Sequence, residues 1–486
     1  MRKSTVYLLS LLLVLSMALS ACGGDTAAPA EKPAAEGSAA EEPKAEEPAA
    51  EEPSGEKQVL KVWSFTNEIN TMTVAYEGVN PNVDIEYTMI PMTNGEYQTK
   101  IKAAMGTTDA PDVIALEAAF AKEFVEADVL ADLADLLPHA EAAKTYPFVI
   151  DVGSHDGVTK AFAYQATPGA LFYRRSLAKE YFGTDDPAEL QVLLSDMDKF
   201  AEAAAIVKEK SDGNTYMVCS SGDLQMPFFD NRSQPWIVDD VLILDPMVRK
   251  YAATAKLFRD EKYEAQATAW QEGWFAGMND TLVDAEGNPK RVFSYFLPTW
   301  GLTYVLAPNA KASDGASDTT GDWGVITGPL PYQWGGTWMG ALKDSPNMDI
   351  AKDFIRFATL DEENLTNWAT GKYTNEYLKA IDPEIPGDQG QAAGDFVSSQ
   401  VVVEKIVSSF DDSELSNFLA GQNAYAGFAE AAPSVNAKLT TGSDDAVQRA
   451  LEDPLSQYLN GDISEDDMWA MWKDGLALEF PNLIVD

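Results

Sequence analysis

Apolar runs and amphipathic stretches alternate along the chain from residue 58 onward. Residues 59–63 predict a short buried strand, and the stretch NVDIEYTMI, in which apolar and polar residues alternate, predicts a second strand. The stretch YQTKIKAAM predicts a helix, residues 112–116 predict a third strand, and residues 120–125 predict a further helix. This β-α-β-α order predicts an α/β fold in which a mostly parallel sheet is flanked by helices.

The carboxyl ends of the predicted strands are the expected ligand-binding edge, because ligands bind at that edge in open α/β sheets. Trp63 and Ser64 end the first strand, Glu117 ends the third, and Glu68 follows shortly after the first. Helix capping is an alternative role for Ser64, and a solvated surface carboxylate is an alternative for Glu117. Asp112, at a strand entry, is expected to be structural.

A later amphipathic stretch predicts a helix in the second half of the fold. Met197, Phe200, Ala204 and Val207 recur at helical spacing and form one apolar stripe.

The first 21 residues have the layout of a secretory signal peptide, with two basic residues, an almost wholly apolar run over residues 6–19, and small residues before Cys22. The run is shorter than the roughly 20 residues that a transmembrane helix needs. The order Leu-Ser-Ala-Cys resembles the bacterial lipobox, which implies cleavage of residues 1–21 and lipidation of the Cys22 thiol. An ordinary signal peptide with a chance cysteine is the alternative.

Residues 22–57 predict a tether. The stretch AAEEPKAEEPAAEEPSGE has no aromatic or β-branched residue, so it cannot bury enough apolar surface to offset the entropy of ordering. We expect a disordered, acidic linker that holds a globular domain away from the membrane. An acidic activation-type tail is the rival interpretation.

Charge and cysteine content exclude several classes of function. The 486 residues carry 77 Asp and Glu against 35 Lys and Arg, a net charge of −42, which argues against nucleic acid and against binding of anionic lipid by charge. Lipidation of Cys22 leaves Cys219 without a disulfide partner. His139 and His155 are the only two histidines of the chain. They leave little room for a histidine-based metal site or a Ser-His-Asp triad.

Four segments carry a resemblance to a known family: the strand ending at Trp63 and Ser64, APDVIALE, FAYQATPGALFYRRSLAKEYFG, and WGVITGPLPYQWGGTWMGALKDSPNMDIAKDFIRFAT. In this order they resemble the extracellular solute-binding lipoproteins of bacterial ABC transporters, particularly the group related to maltose-binding protein. The sequence departs from that pattern at Tyr173-Arg174-Arg175, where the family has a Tyr-Asn-Lys turn, and it lacks the usual Pro-x-Thr-Trp motif.

The resemblance implies a two-lobed α/β fold like that of periplasmic binding proteins, with a ligand cleft between the lobes. It places residues 58–163 and about 331–395 in the N-terminal lobe, and about 164–330 and 396–486 in the C-terminal lobe. The segments that cross between the lobes are expected near 162–167, near 329–332, and within about 370–400.

The function implied is capture of a mono- or oligosaccharide on the extracytoplasmic face of the cell membrane and its delivery to an ABC permease by lobe closure. The protein is expected to be a monomer that needs no cofactor or metal and performs no chemistry. A receptor of the same fold for a non-sugar polar solute is one alternative. A surface enzyme acting on glycosides, with two carboxylates across a cleft, or an adhesion lipoprotein is another.

The candidate ligand contacts combine aromatic plates with polar groups, which suit the apolar face and the hydroxyl rim of a sugar. Trp300, Trp338 and Tyr425 lie in loop-like stretches near Gly or Pro, and the resemblance places family ligand aromatics in the segments of Trp300 and Trp338. Gln165 lies in the first expected crossing. The full candidate set is Trp63, Ser64, Glu68, Glu117, Gln165, Trp300, Trp338 and Tyr425. Core packing is the expectation for Trp236, Trp270 and Trp274.

Overall fold

A computed structural model describes residues 57–385, 395–409 and 417–485 of the chain. The predicted signal peptide, Cys22 and nearly all of the predicted linker lie outside these residues. Within the described ranges, no helix has the length and apolar character to cross a membrane.

The strands are β1 (Gln58–Ser64), β2 (Val83–Met89), β3 (Val113–Glu117), β4 (Ser154–His155), β5 (Val158–Thr159), β6 (Phe162–Ala163), β7 (Gly169–Arg174), β8 (Thr215–Val218), β9 (Ile237–Val238), β10 (Val241–Leu242), β11 (Arg291–Pro298), β12 (Trp323–Ile326) and β13 (Thr337–Ala341).

The α-helices are α1 (Asn67–Val79), α2 (Glu96–Ala104), α3 (Ala118–Glu126), α4 (Leu137–Ala142), α5 (Pro147–Val152), α6 (Arg175–Phe182), α7 (Pro187–Leu193), α8 (Met197–Lys210), α9 (Gln225–Phe229), α10 (Pro246–Asp260), α11 (Glu272–Met278), α12 (Thr299–Gly301), α13 (Ala307–Asn309), α14 (Met348–Leu360), α15 (Glu362–Ala369), α16 (Asn375–Ile381), α17 (Gln400–Ser409), α18 (Ala424–Ala431), α19 (Asp444–Asn460) and α20 (Glu465–Glu479). A π-helical turn, Leu302–Leu306, separates α12 from α13.

The first lobe is built on a five-stranded sheet in the order β2-β1-β3-β13-β6. Strands β1, β2 and β3 are parallel, and β13 runs against both β3 and β6. Four of these strands therefore share one direction. This confirms the predicted α/β character and the dominant strand direction, while the single opposed strand makes the sheet mixed.

The second lobe is built on a four-stranded sheet in the order β12-β7-β11-β8. Strand β7 runs against its two neighbours, β11 and β12, whereas β8 is parallel to β11. Here too one opposed strand interrupts an otherwise parallel set. The chain thus enters this sheet at β7 and leaves it after β12, to return to the first sheet at β13.

The predicted helix around residue 200 shows how the sequence specifies local structure. Asp196 caps α8 by accepting hydrogen bonds from the backbone N–H groups of Asp198 and Lys199, as N-cap carboxylates do. The predicted stripe of Met197, Phe200, Ala204 and Val207 is buried, which confirms both the helix and its inward face. The strands predicted at 59–63 and 112–116 are likewise confirmed.

The segments that join the two sheets pair with each other through their backbones. Residues 164–168 connect β6 to β7, and the segment around 396–398 pairs with them on one side: Ala166 N–H donates to Phe396 O at 3.0 Å. On the other side, Gly169 N–H donates to Tyr332 O at 2.7 Å. We call residues 164–169, 332–334 and 396–398 the waist. Part of the third predicted crossing, residues 386–394, lies outside the described residues, and the predicted lobe boundaries stay predictions.

Gly169 permits the closest approach within the waist. A Cβ built at this position would lie 2.0 Å from the ring of Tyr332, which is buried and donates its hydroxyl to Ala170 O at 3.1 Å. Since packed interiors give way only at a cost, a side chain here must displace either the ring or the backbone.

We expect Gly169→Ala to lower the free energy of unfolding by about 1–3 kcal/mol, the usual cost of overpacking a core. The matched control is Gly475→Ala in α20, where an added Cβ meets nothing within 4 Å and where alanine favours the helix. Urea unfolding monitored by circular dichroism measures both. Equal midpoints for Gly169→Ala and the wild type would show that the waist is not packed in this way.

Candidate functional site

A cavity of about 220 Å³ lies where the two lobes and the waist meet. We call it the cleft cavity. Its lining combines the end of β3 in the first lobe, α9 and the residue after it in the second lobe, the waist, and the C-terminal segment 436–448. The lining residues used below are Glu117, Asp230, Gln333, Trp334, Asp444 and Asp445.

Glu117 contributes a carboxyl group from the first lobe. It is the last residue of β3 and caps α3, because its Oε2 accepts a hydrogen bond from Ala119 N–H at 2.7 Å. Burial raises the pKa of Glu117 to about 7, the negative charge of Asp445 adds to the shift, and the backbone hydrogen bonds oppose it. The predicted place of Glu117 at the carboxyl end of a strand, beside a cleft, is what the structure shows.

Asp230 contributes a carboxyl group from the second lobe. It follows α9, and its Oδ2 accepts a hydrogen bond from Gln333 N–H at 2.6 Å. Burial raises the pKa of Asp230 to about 7, with Arg232 opposing the shift and Asp444 adding to it. Asp230 thus ties the second lobe to the waist through this hydrogen bond. Its carboxyl group also makes its side of the cavity acidic.

Gln333 and Trp334 form the waist side of the cavity. Gln333 is 8% exposed, and its Oε1 has no hydrogen-bond partner among the described residues. The backbone N–H of Trp334 donates to Thr167 O at 3.2 Å, and its ring packs against Trp270 and Trp300. The cavity therefore presents a buried acceptor beside an aromatic ring.

Three tryptophans pack together next to the cavity, and we call Trp270, Trp300 and Trp334 the tryptophan cluster. The rings of Trp270 and Trp300 are stacked, 6.2 Å between centroids and 17° between planes. Trp334 meets both edge-on, and Trp300 Nε1 donates to Trp334 O at 3.0 Å. The predicted candidate Trp300 is therefore coupled to the cavity through Trp334.

Trp270 corrects an expectation. It was expected in the core, but its side chain is 47% exposed and its φ of 66° is unusual for a bulky residue. Trp236 and Trp274 are buried, as expected.

A second pair of carboxyl groups, Glu68 and Asp395, lies at the waist, and we call it the waist pair. Tyr164 donates its hydroxyl to Glu68, and Gln165 Nε2 donates to Asp395 Oδ2 at 2.5 Å. Burial raises the pKa of both groups; for Glu68 the neighbouring charge of Asp395 adds to the shift. These hydrogen bonds tie Glu68 in α1 to Tyr164, and Asp395 to Gln165, in the waist segment 164–169.

Three predicted candidates converge on Asp395, a residue that the sequence analysis missed. Gln165 donates to its carboxylate, Tyr425 donates its hydroxyl to its backbone carbonyl, and its negative charge acts on Glu68. Asp395 is one acidic residue among 77 in a Gly-rich stretch, so no pattern in the sequence distinguished it.

Other candidates lie in structural positions. Ser64 Oγ accepts from Thr66 N–H at 3.1 Å and so closes the turn into α1, while Trp63 packs partly buried against the core. Trp338 is 1% exposed and its Nε1 donates to Val149 O at 2.9 Å. Tyr425 is also buried. Burial corrects the expectation that Trp338 and Tyr425 offer rings to a ligand in this conformation.

A larger cavity, of about 750 Å³, lies at the opposite edge of the first sheet. It is lined by the amino end of β3, around Asp112, and by the turn after β13, residues 342–347. Asp112 accepts from Lys61 N–H and Ser345 Oγ, which confirms its structural role. Because a single lobe forms this cavity, it offers no contacts that lobe closure could change, and the smaller cleft cavity is the better candidate site.

The comparisons with known proteins agree with this architecture. A family model described as "Bacterial extracellular solute-binding protein" matches residues 63–365. No curated protein matches the chain.

Solved structures share the fold at low sequence identity. An extracellular solute-binding protein of family 1 superposes with a TM-score of 0.67 at 18% identity, covering 88% of this chain and 100% of its own. An ABC transporter-associated binding protein from B. animalis subsp. lactis Bl-04, in complex with β-1,6-galactobiose, gives 0.61 at 18% identity, covering 88% and 100%. The sugar-binding protein MalE from Xanthomonas citri gives 0.63 at 15% identity, covering 87% and 98%.

The raised pKa of Glu117 makes stability depend on pH. The folded chain favours the neutral carboxyl, so its stabilising contribution is fully present below the ordinary pKa of 4.5 and is lost as the pH rises through about 7. As the pH rises from 4.5 to about 7, we expect the free energy of unfolding to fall less in Glu117→Gln than in the wild type, by on the order of 1–3 kcal/mol. Urea unfolding at a series of pH values measures the difference.

The control for this experiment is Glu86→Gln, an exposed glutamate on β2. Identical pH profiles for the wild type and Glu117→Gln would show that the Glu117 carboxyl is solvated.

Proposed function

Because the chain belongs to the bacterial extracellular solute-binding proteins, we propose that it captures a carbohydrate outside the cytoplasm and delivers it to an ABC importer. The family is one of binding proteins, and membership places the protein on the extracytoplasmic side. The observation that carries the choice of a carbohydrate is the cleft cavity beside the tryptophan cluster.

The chemistry of the cavity suits a sugar. The rings of the tryptophan cluster offer apolar surface beside the cavity for the C–H face of a pyranose. Glu117, Asp230 and the unpartnered Gln333 Oε1 offer acceptors for hydroxyl groups. A site of this kind rejects ligands without hydroxyls, because its buried polar groups are then left unpaired.

Both lobes contribute residues to the lining of the cleft cavity, which supports capture of the ligand by closure of the lobes. A ligand can shift the balance between open and closed forms only by binding the closed form more tightly. Glu117 belongs to the first lobe and Asp230 to the second, so a ligand that contacts both gains contacts when the lobes approach. The bound, closed form is then the form that permease subunits recognise.

The sugar-bound neighbour from B. animalis and the sugar-binding protein from X. citri support the same ligand class. A non-sugar polar solute is the alternative within this fold. Hydrolysis of a glycoside by the two carboxyl groups of the cavity is the alternative of another class, and turnover of an oligosaccharide by the purified protein would select it.

Thermal unfolding with a panel of mono- and oligosaccharides tests the proposal, with amino acids and metal ions as controls. A ligand at 100 times its dissociation constant adds about 2.7 kcal/mol of stability, which raises Tm by a few degrees. We expect a sugar to give this shift and Trp334→Ala to weaken its binding by at least about tenfold, the loss typical of an aromatic anchor. Trp334→Phe keeps a ring and should retain part of the affinity.

The matched control is Tyr458→Ala, which removes a partly buried ring from α19 away from the cavity lining. An unchanged affinity in Trp334→Ala would remove the tryptophan cluster from the site. A shift with an amino acid and with no sugar would overturn the ligand class.

We propose further that the protein is anchored by a lipid on Cys22 and acts as a monomer. The lipobox-like sequence before Cys22 supports the anchor. Cys22→Ser should abolish incorporation of labelled palmitate and release the protein from the membrane fraction, whereas Cys219→Ser should leave both unchanged. Membrane association that survives Cys22→Ser would contradict the anchor.

A further inference from the structure

The cleft cavity is unusually one-sided in charge, and from this we infer that the ligand carries a protonated amine seated between Glu117 and Asp230. The inference builds on the proposed function by narrowing the ligand to an amine-bearing sugar. It rests on the charge of the lining, an unpartnered acceptor and an aromatic wall.

All charged side chains that line the cavity are acidic. They are Glu117, Asp230, Asp444 and Asp445, and no Lys, Arg or His is among the lining residues that the structure describes. Two of the four are neutralised by neighbours: Asp444 pairs with Arg232 at 2.9 Å and Asp445 pairs with Arg449. The cavity therefore keeps two carboxyl groups that form no salt bridge, although the charge of Arg232 acts on Asp230.

Glu117 and Asp230 have no salt-bridge partner in the part of the chain that the structure describes. Each accepts one backbone N–H, from Ala119 and Gln333 respectively, which leaves further lone pairs on each carboxylate. Both residues are partly buried, and because a desolvated carboxylate is costly without a charged partner, a ligand cation that meets both would relieve the cost.

Gln333 is the independent sign of a ligand at this place. Its side chain lines the same cavity and is more than nine-tenths buried, at 8% exposure, yet its Oε1 accepts no hydrogen bond. An acceptor of this kind needs a donor, and an ammonium group supplies three. A neutral hydroxyl supplies one and would also have to satisfy Glu117 and Asp230.

Trp334 supplies the aromatic wall of the proposed amine site. Its ring lines the cavity beside Gln333, and the face of a tryptophan ring attracts cations placed within about 6 Å. A C–H-rich sugar ring carrying an amine can therefore rest on the tryptophan while its charge meets the carboxyl groups.

A cation bound between Glu117 and Asp230 would also favour closure of the lobes. Carboxylates on opposite lobes repel each other in their ionised forms when the lobes approach, and a cation between them favours those ionised forms and converts the repulsion into attraction. An amine-bearing ligand would thus favour the closed form more than its neutral analogue of the same shape.

Matched sugars that differ only at C2 test the inference. Glucose, glucosamine and N-acetylglucosamine form one series, the galactose analogues form a second, and the β-1,4-linked disaccharides of the first series form a third. Affinities come from calorimetry and thermal unfolding on the full chain, with putrescine as an amine without a sugar. We expect the free amine to bind at least about tenfold more tightly than its hydroxyl and acetamide analogues, and added salt to reduce this preference.

The charge-removing variant Glu117→Gln/Asp230→Asn keeps the size of both side chains. We expect it to lose the preference for the amine, so that the amine and hydroxyl analogues bind within about threefold of each other. Glu86→Gln/Asp466→Asn removes the same charge from exposed positions and should keep the preference.

The outcomes separate the two proposals. Equal or tighter binding of the neutral sugars overturns the amine while the carbohydrate receptor stands. Binding of putrescine and of no sugar, with that binding lost in Glu117→Gln/Asp230→Asn, overturns the carbohydrate function while the proposed amine site stands. No response to any sugar or to putrescine overturns both.

Discussion

The backbone pairing at the waist is the constraint on which the rest of the structure depends. Residues 164–169 are hydrogen-bonded on both sides, to 396–398 and to 332–334, so one short extended segment aligns all three connections between the lobes. Successive side chains on extended backbone point to opposite sides. Tyr164 accordingly reaches Glu68, Gln165 reaches Asp395, and Thr167 Oγ1 donates to Gly335 O at 2.7 Å. The same segment therefore positions the waist pair and the wall of the cleft cavity.

Burial of acidic groups is the second organising feature, and it follows from the first. Carboxyl groups from distant parts of the sequence lie partly or fully buried: Glu68 near Asp395 at the waist, and Glu117 and Asp230 in the lining of the cleft cavity. Desolvation disfavours their charged forms and raises each pKa. The chain as a whole carries a net charge of −42, so its overall charge does not favour these carboxylates. Stabilisation of their charge must come from nearby groups, as Arg232 provides for Asp230.

The sequence predicted several of the elements and one carboxyl group of the candidate site. Periodicity identified β1, β3 and the apolar face of α8, because local pattern and burial agree there. The rule that ligands bind at the carboxyl ends of strands identified Glu117. Asp230 in the cavity lining and Asp395 in the waist pair were missed because each is placed by contact with a segment distant in sequence: Asp230 contacts Gln333 and Asp395 contacts Gln165. No single-sequence pattern carries that information.

The stretch YQWGGTWMG places two nearby tryptophans in different environments, which the sequence pattern alone does not distinguish. Gly335 and Gly336 have φ values of 73° and 108°, a conformation that glycine adopts without strain. They lie between two tryptophans in a segment that runs antiparallel to residues 162–168 on both sides of the glycines. Trp334, before the glycines, belongs to the waist and faces the cavity. Trp338, after them, is already in β13 and faces the core. A Cβ at Gly335 would lie 2.8 Å from Trp300 Nε1, so the absence of a side chain there is also what allows the tryptophan cluster to form.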